Sequence, residues 1–447
     1  MKKIHPQRGA ALTLFLLFFS VAVTAILLGL SQGILSDQTT FNRLSESKQA
    51  YMAVEALTED VLYRQVYGTF NWDNTESLTF AGATVFATTT YDMPSDIYTI
   101  RGMSFLQRAI RKTELELSIT AGTNLAYGLL SGVGGISLAN SARVIGDTYA
   151  NGPIIGPGGA NKAEVIGDIV SAGPSGLVAD VEVTGSVFAD TIEDVIVSGD
   201  AYFNNELGTN SIAGASTTPV VNQATSSFPL STTTIQEWKD AINNYGTVIT
   251  ASDTRCDPGV TDTYTIDASV SLDPYLRIEC NVDIKKTGAS TIVTLEGPIW
   301  IEGNLSFTQG PTLRVDPALG RRSVQILVDN PNNSTSSSQI EVRNATDFLG
   351  SGDSRSYILL WSANESSALG ESETAISISQ SANGQVIMYA ADGLVDISNG
   401  IELRAVTGHQ IDVAQNSDII YEAGLSSLLF PAGPGSGYVL TDWQQAE

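Results

Sequence analysis

Val144-Ile145-Gly146-Asp147-Thr148-Tyr149-Ala150-Asn151 is the stretch that decides the fold. The pattern returns as Val165-Ile166-Gly167-Asp168-Ile169-Val170-Ser171-Ala172, as Val183-Thr184-Gly185-Ser186-Val187-Phe188-Ala189-Asp190, and as Val197-Ser198-Gly199-Asp200-Ala201-Tyr202-Phe203-Asn204. Its glycines are spaced by 21, 18 and 14 residues. Each copy reads as a strand, a glycine turn and a second strand. One copy alone cannot bury its apolar side, whereas stacked copies bury a continuous core. The expected fold class is mainly β, a right-handed parallel β-helix or β-solenoid. A β-sandwich with irregular hairpins is the alternative. Asp147, Asp168 and Asp200 share one position of the motif. Stacked, they would form either an oxygen ladder for Ca²⁺ or a set of turn caps. The glycine-rich calcium nonapeptide is absent, which favours caps.

Downstream, Ser216–Thr234 is rich in Ser, Thr and Pro and reads as a linker. One helix follows, Ile235–Tyr245, with Thr234 as its cap and Gly246 as its stop. After Thr247 short alternating strands resume, among them Leu276–Ile278, Val282–Ile284, Ile299–Ile301, Val386–Tyr389 and Ile411–Val413. No N-G hairpin turns separate them, which again suits solenoid rungs. Upstream, Thr79–Tyr91, Asp96–Gly102 and Gln107–Ile119 read as a small β element. The expected domains are a helix over 1–66, a β neck or head over 67–128, a first solenoid segment over 129–214, a linker and helix over 215–246, and a second solenoid segment over 247–447.

The whole chain of 447 residues carries a formal charge of −25. Only 16% of it is charged, against about 25% in an average soluble protein. That balance argues against a nucleic-acid partner, since neutralising phosphates takes clustered Lys and Arg. Cys256 and Cys280 form no C-x-x-C pair, so zinc and thioredoxin chemistry have no support. In an exported domain a Cys256–Cys280 disulfide is expected, with two buried free thiols as the alternative.

The first thirty-six residues carry a different signal. Lys2, Lys3 and Arg8 precede an uncharged run from Gly9 to Ser36. Ala10–Leu30 is almost wholly apolar, and its 21 residues span about 30 Å, the thickness of the hydrocarbon core. Basic residues before such a run stay in the cytoplasm, so the rest of the chain is expected outside it. A cleaved secretory signal is the competing reading. Such signals have apolar cores of about 7–15 residues and a small-x-small site, and no clear A-x-A follows Leu30. The helix then continues without a proline. Phe41, Leu44, Tyr51, Val54, Leu57 and Val61 recur at helical spacing and should form a stripe that packs on a partner.

Two parts of this start carry a resemblance. Arg8-Gly9-Ala10-Ala11-Leu12, the apolar run, and Gln49-Ala50-Tyr51-Met52-Ala53-Val54-Glu55-Ala56 resemble the beginning of PilX-type minor pilins. That family shows an R-G-x-A-L segment, an apolar helix and an A-x-x-A-x-E-A signature to which Glu55 belongs. The resemblance implies a helix that bundles with pilin or minor pilin subunits, and prepilin-type processing between Gly9 and Ala10. It departs from major pilins in one respect: the fifth residue after that bond is Leu14, where pilins use an assembly glutamate. From Ile235 to Glu447 the order of Trp238-Lys239-Asp240, the cysteines, Gly297-Pro298-Ile299-Trp300-Ile301-Glu302-Gly303-Asn304-Leu305 and Gln385-Val386-Ile387-Met388-Tyr389-Ala390, then Asp396-Ile397-Ser398-Asn399-Gly400 and Trp443, is similar to β-helical ectodomains of PilX-like surface proteins. The glycine-turn rungs also resemble bactofilins, which polymerise through β-helices but lack such a membrane helix.

No catalytic constellation stands out. Of two histidines, His5 lies in the basic tip and His409 stands alone in a turn, with no nucleophile motif to serve. Carboxylates close in sequence (Asp190, Glu193 and Asp194; Asp353; Glu365, Glu371 and Glu373) read as solvated turn residues. The expectation is therefore a non-enzymatic, membrane-anchored cell-surface protein of the type IV pilus kind, without cofactor or metal. Its expected partners are the lipid bilayer, pilin subunits and surface ligands, and its role pilus assembly or adhesion. The alternatives are a membrane-anchored, glycan-active β-helix enzyme and a bactofilin-like polymer.

Overall fold

A computed structural model describes residues 8–66, 75–80, 82–92, 97–119, 125, 127–288, 290–380, 382–398, 400–421, 425, 428 and 438–446. They fall into two units, Met1–Ile119 with Tyr438–Glu447, and Thr120–Gly437.

The first unit is built on α1 (Arg8–Val66), a single helix of 59 residues. No proline interrupts it, so beyond its first turn the i→i−4 hydrogen-bond ladder can run unbroken. Its second half packs on an antiparallel meander of β1 (Thr75–Phe80), β2 (Ala83–Asp92), β3 (Ile97–Leu106) and β4 (Ala109–Ile119). The expected strand Thr79–Tyr91 is thus two strands joined by a turn at Gly82, whose φ is +81°. The chain's last strand, Tyr438–Ala446, pairs antiparallel with β4 and completes the sheet rather than adding a solenoid rung. Ala50, Ala53, Val54, Leu57 and Val61 bury themselves against Val85, Ala87, Ile100, Leu115 and Leu117. The close approach needs Gly102: a Cβ there would lie 2.6 Å from both the Thr58 hydroxyl and Val54 Cγ2. Thr58 Oγ1 donates to the Val54 carbonyl at 2.7 Å and lies 2.9 Å from Thr113 Oγ1. The stripe starts later than its spacing implies. Phe41 and Leu44 are 70% and 67% exposed, because the sheet ends before it reaches them.

The second unit is a parallel β-solenoid with three strands per turn. One of its faces is a sheet of 12 strands with one strand from each turn, so the coil has twelve turns. The motif explains itself in register. Val144, Val165, Val183 and Val197 stack as one inward column, each at most 1% exposed. At the next corner Gly146, Gly167, Gly185, Gly199 and Gly214 stack. Gly199 N–H donates to the Gly185 carbonyl at 3.0 Å, and Gly214 N–H to that of Gly199 at 3.1 Å. A Cβ on Gly199 would lie 2.5 Å from the Gly185 oxygen, so the corner admits no side chain.

The order of the turns is not the order of the chain. The chain enters the coil at β5 (Leu129–Leu138) and winds to Ser216–Thr217. It then leaves, and residues 218–231 run back along the outside. Val220 N–H donates to Asn204 Oδ1 at 2.8 Å, Gly173 N–H to the Gln223 carbonyl at 3.0 Å, Ser226 N–H to Asn151 Oδ1 at 2.8 Å and Leu230 N–H to Tyr389 Oη at 3.1 Å. Next comes α2 (Thr232–Tyr245), capped by Ser231, whose Oγ accepts from Thr234 N–H at 3.1 Å. Thr234, the cap expected from sequence, lies inside the first turn. The coil resumes at Thr247–Ile249 and winds forward to Ala405–Val413, which pairs in parallel with β5 (Val406 with Leu129, Ile411 with Ile136). The detour is long enough: twelve rung spacings are about 55 Å, and 14 extended plus 14 helical residues cover about 65 Å.

The strap and α2 cover an outward apolar column. Trp238, fully buried, packs with Ile235 and Ile242 in one cluster with Trp300, Leu327, Leu359 and Tyr389. Lys239 ion-pairs with Asp329 and lies 5.3 Å from the Trp300 ring and 5.5 Å from that of Trp361. Burial pushes the Lys239 ammonium below its ordinary pKa. Cys256 and Cys280, both buried, form a disulfide with S–S 2.07 Å, tying the first turn after the coil resumes to the next.

Candidate functional site

The feature with the plainest functional meaning is the front half of α1. Leu12–Gly29 is long and apolar enough to cross a membrane, and none of it is buried. Phe15 and Phe18 are each 66% exposed. Side chains of this kind on a helical stretch with no buried residue call for a nonaqueous surrounding or for neighbouring helices. Arg8, Gly9 and Ala10 form the first turn of the same helix; their side chains lie outside the described residues. Lys2, Lys3 and His5 lie outside them altogether. Glu55 sits between the buried Val54 and the exposed Ala56, is half-buried, and has no ion-pair partner among the described residues. Farther along, Arg64 pairs with Glu76 and with Asp60 (2.7 Å), and the Glu76 carboxyl is held below its ordinary pKa by the Arg64 guanidinium.

On the solenoid most of the carboxylates singled out by sequence are engaged by their own chain; among the described residues Glu193 and Glu371 have no side-chain partner. Asp147 Oδ1 accepts from Asp168 N–H at 2.9 Å, Asp168 Oδ1 from Ser186 N–H at 2.8 Å, and Asp200 Oδ1 from Ala215 N–H at 2.7 Å. The ladder therefore caps the turn of each following rung. Asp190 accepts from the side-chain amides of Asn204 (3.0 Å), Asn205 (3.2 Å) and Asn222 (3.1 Å); those of Asn204 and Asn222 chiefly hold its carboxyl below the ordinary range. Asp194 accepts from Thr209 N–H, Asp353 pairs with Arg355 at 3.2 Å, Glu365 accepts from Ser334, and Glu373 from Gln339.

Two carboxylate settings were not foreseen from sequence. One is a groove of about 410 Å³ that holds Glu402 and Asp418. These pair with Arg404 at 2.7 Å and Arg143 at 3.0 Å, so each acid has its own cation. The other is Asp396 opposite Asp412 on adjacent strands. Burial, then the Asp412 charge, pushes the Asp396 carboxyl above its ordinary pKa. The residues of each pair are 16 apart in sequence, and only the rung register brings them together. His409 lies half-buried in the seam, at the irregularity between Gly408 and Gln410.

A cavity in the first unit was also not foreseen. It measures about 510 Å³ and is lined by Arg43, Glu46, Ser47, Arg108, Ala109, Ile110 and Arg111. Its two walls are 65 residues apart in the chain and meet because β3 and β4 turn beside α1.

No protein-family model matches the chain, and no curated protein does. Among solved structures, the crystal structure of the competence-associated pilin ComZ from Thermus thermophilus is similar over 90% of this chain and 97% of that one, at 12% identity and a TM-score of 0.36. A likeness at that level decides nothing about function.

Proposed function

We propose that the protein is a non-enzymatic, membrane-anchored surface protein of the minor-pilin kind. In this reading the N terminus is cytoplasmic, the head and solenoid lie outside, and α1 is both anchor and assembly element. The supporting observation is the continuity of α1. A bare apolar half and a half welded to a sheet belong to one rigid rod, so whatever holds the front half positions the head. The R-G-x-A-L start and the A-x-x-A-x-E-A signature with Glu55 favour pilin-type partners over a plain anchor. The solenoid then acts as a stiff acidic display surface for assembly or for adhesion to a surface ligand. Engagement of most of the carboxylates singled out above by amides, a hydroxyl or an arginine supports display over glycan cleavage, which needs one free acid and one free base about 5–10 Å apart; Asp396 and Asp412 are a facing pair without a cation among the described residues.

N-terminal sequencing of the native protein after shearing and cell fractionation tests this. Recovery of Ala10 as the first residue in the sheared filament fraction is the expected result. An intact Met1 confined to the membrane fraction would overturn the pilin reading and leave an anchor.

A further inference from the structure

The two units differ in charge. Ten of the 23 basic residues but only 13 of the 48 acidic ones belong to the first unit. Within it the basic residues are not spread evenly. The antiparallel register puts the β1–β2 turn and the β3–β4 turn at one end of the sheet, because Phe80 pairs with Ala83 and Leu106 with Ala109. That end faces the membrane-spanning half of α1, since Arg111 Nε donates to Ser47 Oγ at 3.1 Å while Glu76, at the other end, pairs with Arg64.

At the span-facing end Arg43, Arg108 and Arg111 surround the 510 Å³ cavity, with Glu46 as the one acid in its lining. Among the described residues neither Arg43 nor Arg108 has an ion-pair partner. Ile110 in the cavity lining is 51% exposed, and at the same end of the sheet Phe80 and Phe105 are 50% and 39% exposed. Unpaired guanidinium groups at a sheet end that also carries bare aromatic and aliphatic side chains suit a membrane interface, where each finds its own phase. Helix geometry sets the height. Arg43 is 35 residues beyond Arg8, or about 52 Å along an unbroken helix, against about 40–45 Å for a bilayer with its headgroups. Side chains lean toward a helix's N terminus, so Arg43 reaches back toward the span.

We propose that this end of the first unit seats on the phosphates of anionic phospholipid headgroups in the leaflet from which α1 emerges. Arg43 and Arg108 hold the phosphate, a geometry guanidinium groups favour. Arg111, fastened to Ser47, fixes the wall between them, and Phe105 and Ile110 enter the interface. The proposal rests on the reading of α1 as a membrane span.

The test uses the full chain in nanodiscs of phosphatidylcholine alone or with phosphatidylglycerol, with hydrogen exchange of residues 104–111 as readout. Phosphatidylglycerol should raise protection of this hairpin, by about fivefold for each arginine in contact. The double variant Arg43→Gln/Arg108→Gln should lose about 25-fold of that gain, and added salt should erase it. Arg101→Gln, which removes the same charge from a residue paired with Glu114 farther along the hairpin from its turn, should leave the gain in place. Equal protection in both lipids, or an unchanged gain in the double variant, overturns the headgroup contact while leaving the anchor intact. A chain that elutes apart from the nanodiscs overturns the span, and the proposal with it.

Discussion

Gly199→Ala is the sharpest perturbation of the solenoid. Gly199 has no left-handed φ, so backbone conformation alone would accept alanine. The obstacle is the neighbouring rung: the new Cβ would sit 2.5 Å from the Gly185 oxygen and 2.6 Å from its carbonyl carbon. Carbon and carbonyl oxygen come to rest at about 3.4 Å, so the two turns must part by roughly 0.9 Å at this corner. Those atoms are backbone and cannot rotate away. Parting stretches the 3.0 Å bond from Gly199 N–H and the 2.9 Å bond from Ser198 N–H to Val183. Overpacking of this kind costs about 1–3 kcal/mol and one weakened backbone hydrogen bond about 1 kcal/mol. Alanine's smaller unfolded-state entropy returns about 0.4–1 kcal/mol. The net loss is about 1–3.5 kcal/mol, or, for a unit as long as Thr120–Gly437, a fall in melting temperature of about 2–5 °C.

Gly173→Ala is the matched control. Gly173 has φ +82° with nothing within 4 Å of a Cβ, so its cost is conformational only, about 1 kcal/mol. Thermal melts of the detergent-solubilised full chain should rank Gly199→Ala well below Gly173→Ala. Hydrogen exchange should also show the loss centred on residues 183–201, since a solenoid transmits damage to nearest neighbours. Equal melting of Gly199→Ala and the native chain, or an equal cost at both glycines, would refute the stacked-glycine account of the motif.

Three further outcomes follow from the coil. Reducing Cys256–Cys280, whose partners are 24 residues apart, should destabilise the end of the coil that resumes after α2 by about 3.5 kcal/mol, measurable as a lower denaturant midpoint that returns on reoxidation. Trp238→Ala should cost about 3–5 kcal/mol and free α2, so that limited proteolysis cuts within residues 218–231; continued resistance there would contradict the clamp. Asp412→Asn should stabilise the fold at neutral pH by up to about 1 kcal/mol, since like charges directly opposite repel. The sign follows from linkage: the raised pKa of Asp396 means its charged form is disfavoured in the fold, so native stability is fullest below the ordinary carboxylate range and declines as pH rises through it. Melts of both chains below that range should therefore coincide.

What was legible in the sequence is what recurs locally. The valine column and the stacked glycines are adjacent-rung features, and each repeat states them again in full. α2 was legible too, although its cap moved from Thr234 to Ser231. Features that depend on distant partners were not. Residues 218–231 read as a linker because a strap has no period of its own; its partners Tyr149 and Asn151 lie 75 residues away from the carbonyls and amides they hold. Tyr438–Ala446 alternates like any strand, and alternation does not say which sheet a strand joins.

The winding order has one physical source. A solenoid that begins at one end and finishes at the other places its termini twelve turns apart. Here the second unit's first and last described strands, β5 and Asp418–Ile420, lie at the middle of the coil, and in sequence they follow β4 and precede its direct neighbour Tyr438–Ala446. Adjacent strands of one sheet can receive a long insertion only if its two ends come close together. Starting the coil in the middle, running to one end, crossing back outside and returning meets that requirement without shortening the coil. The strap and α2 are the necessary crossing. Their aromatic clamp on Trp300 and Tyr389 is what turns that crossing into packed structure rather than loose chain.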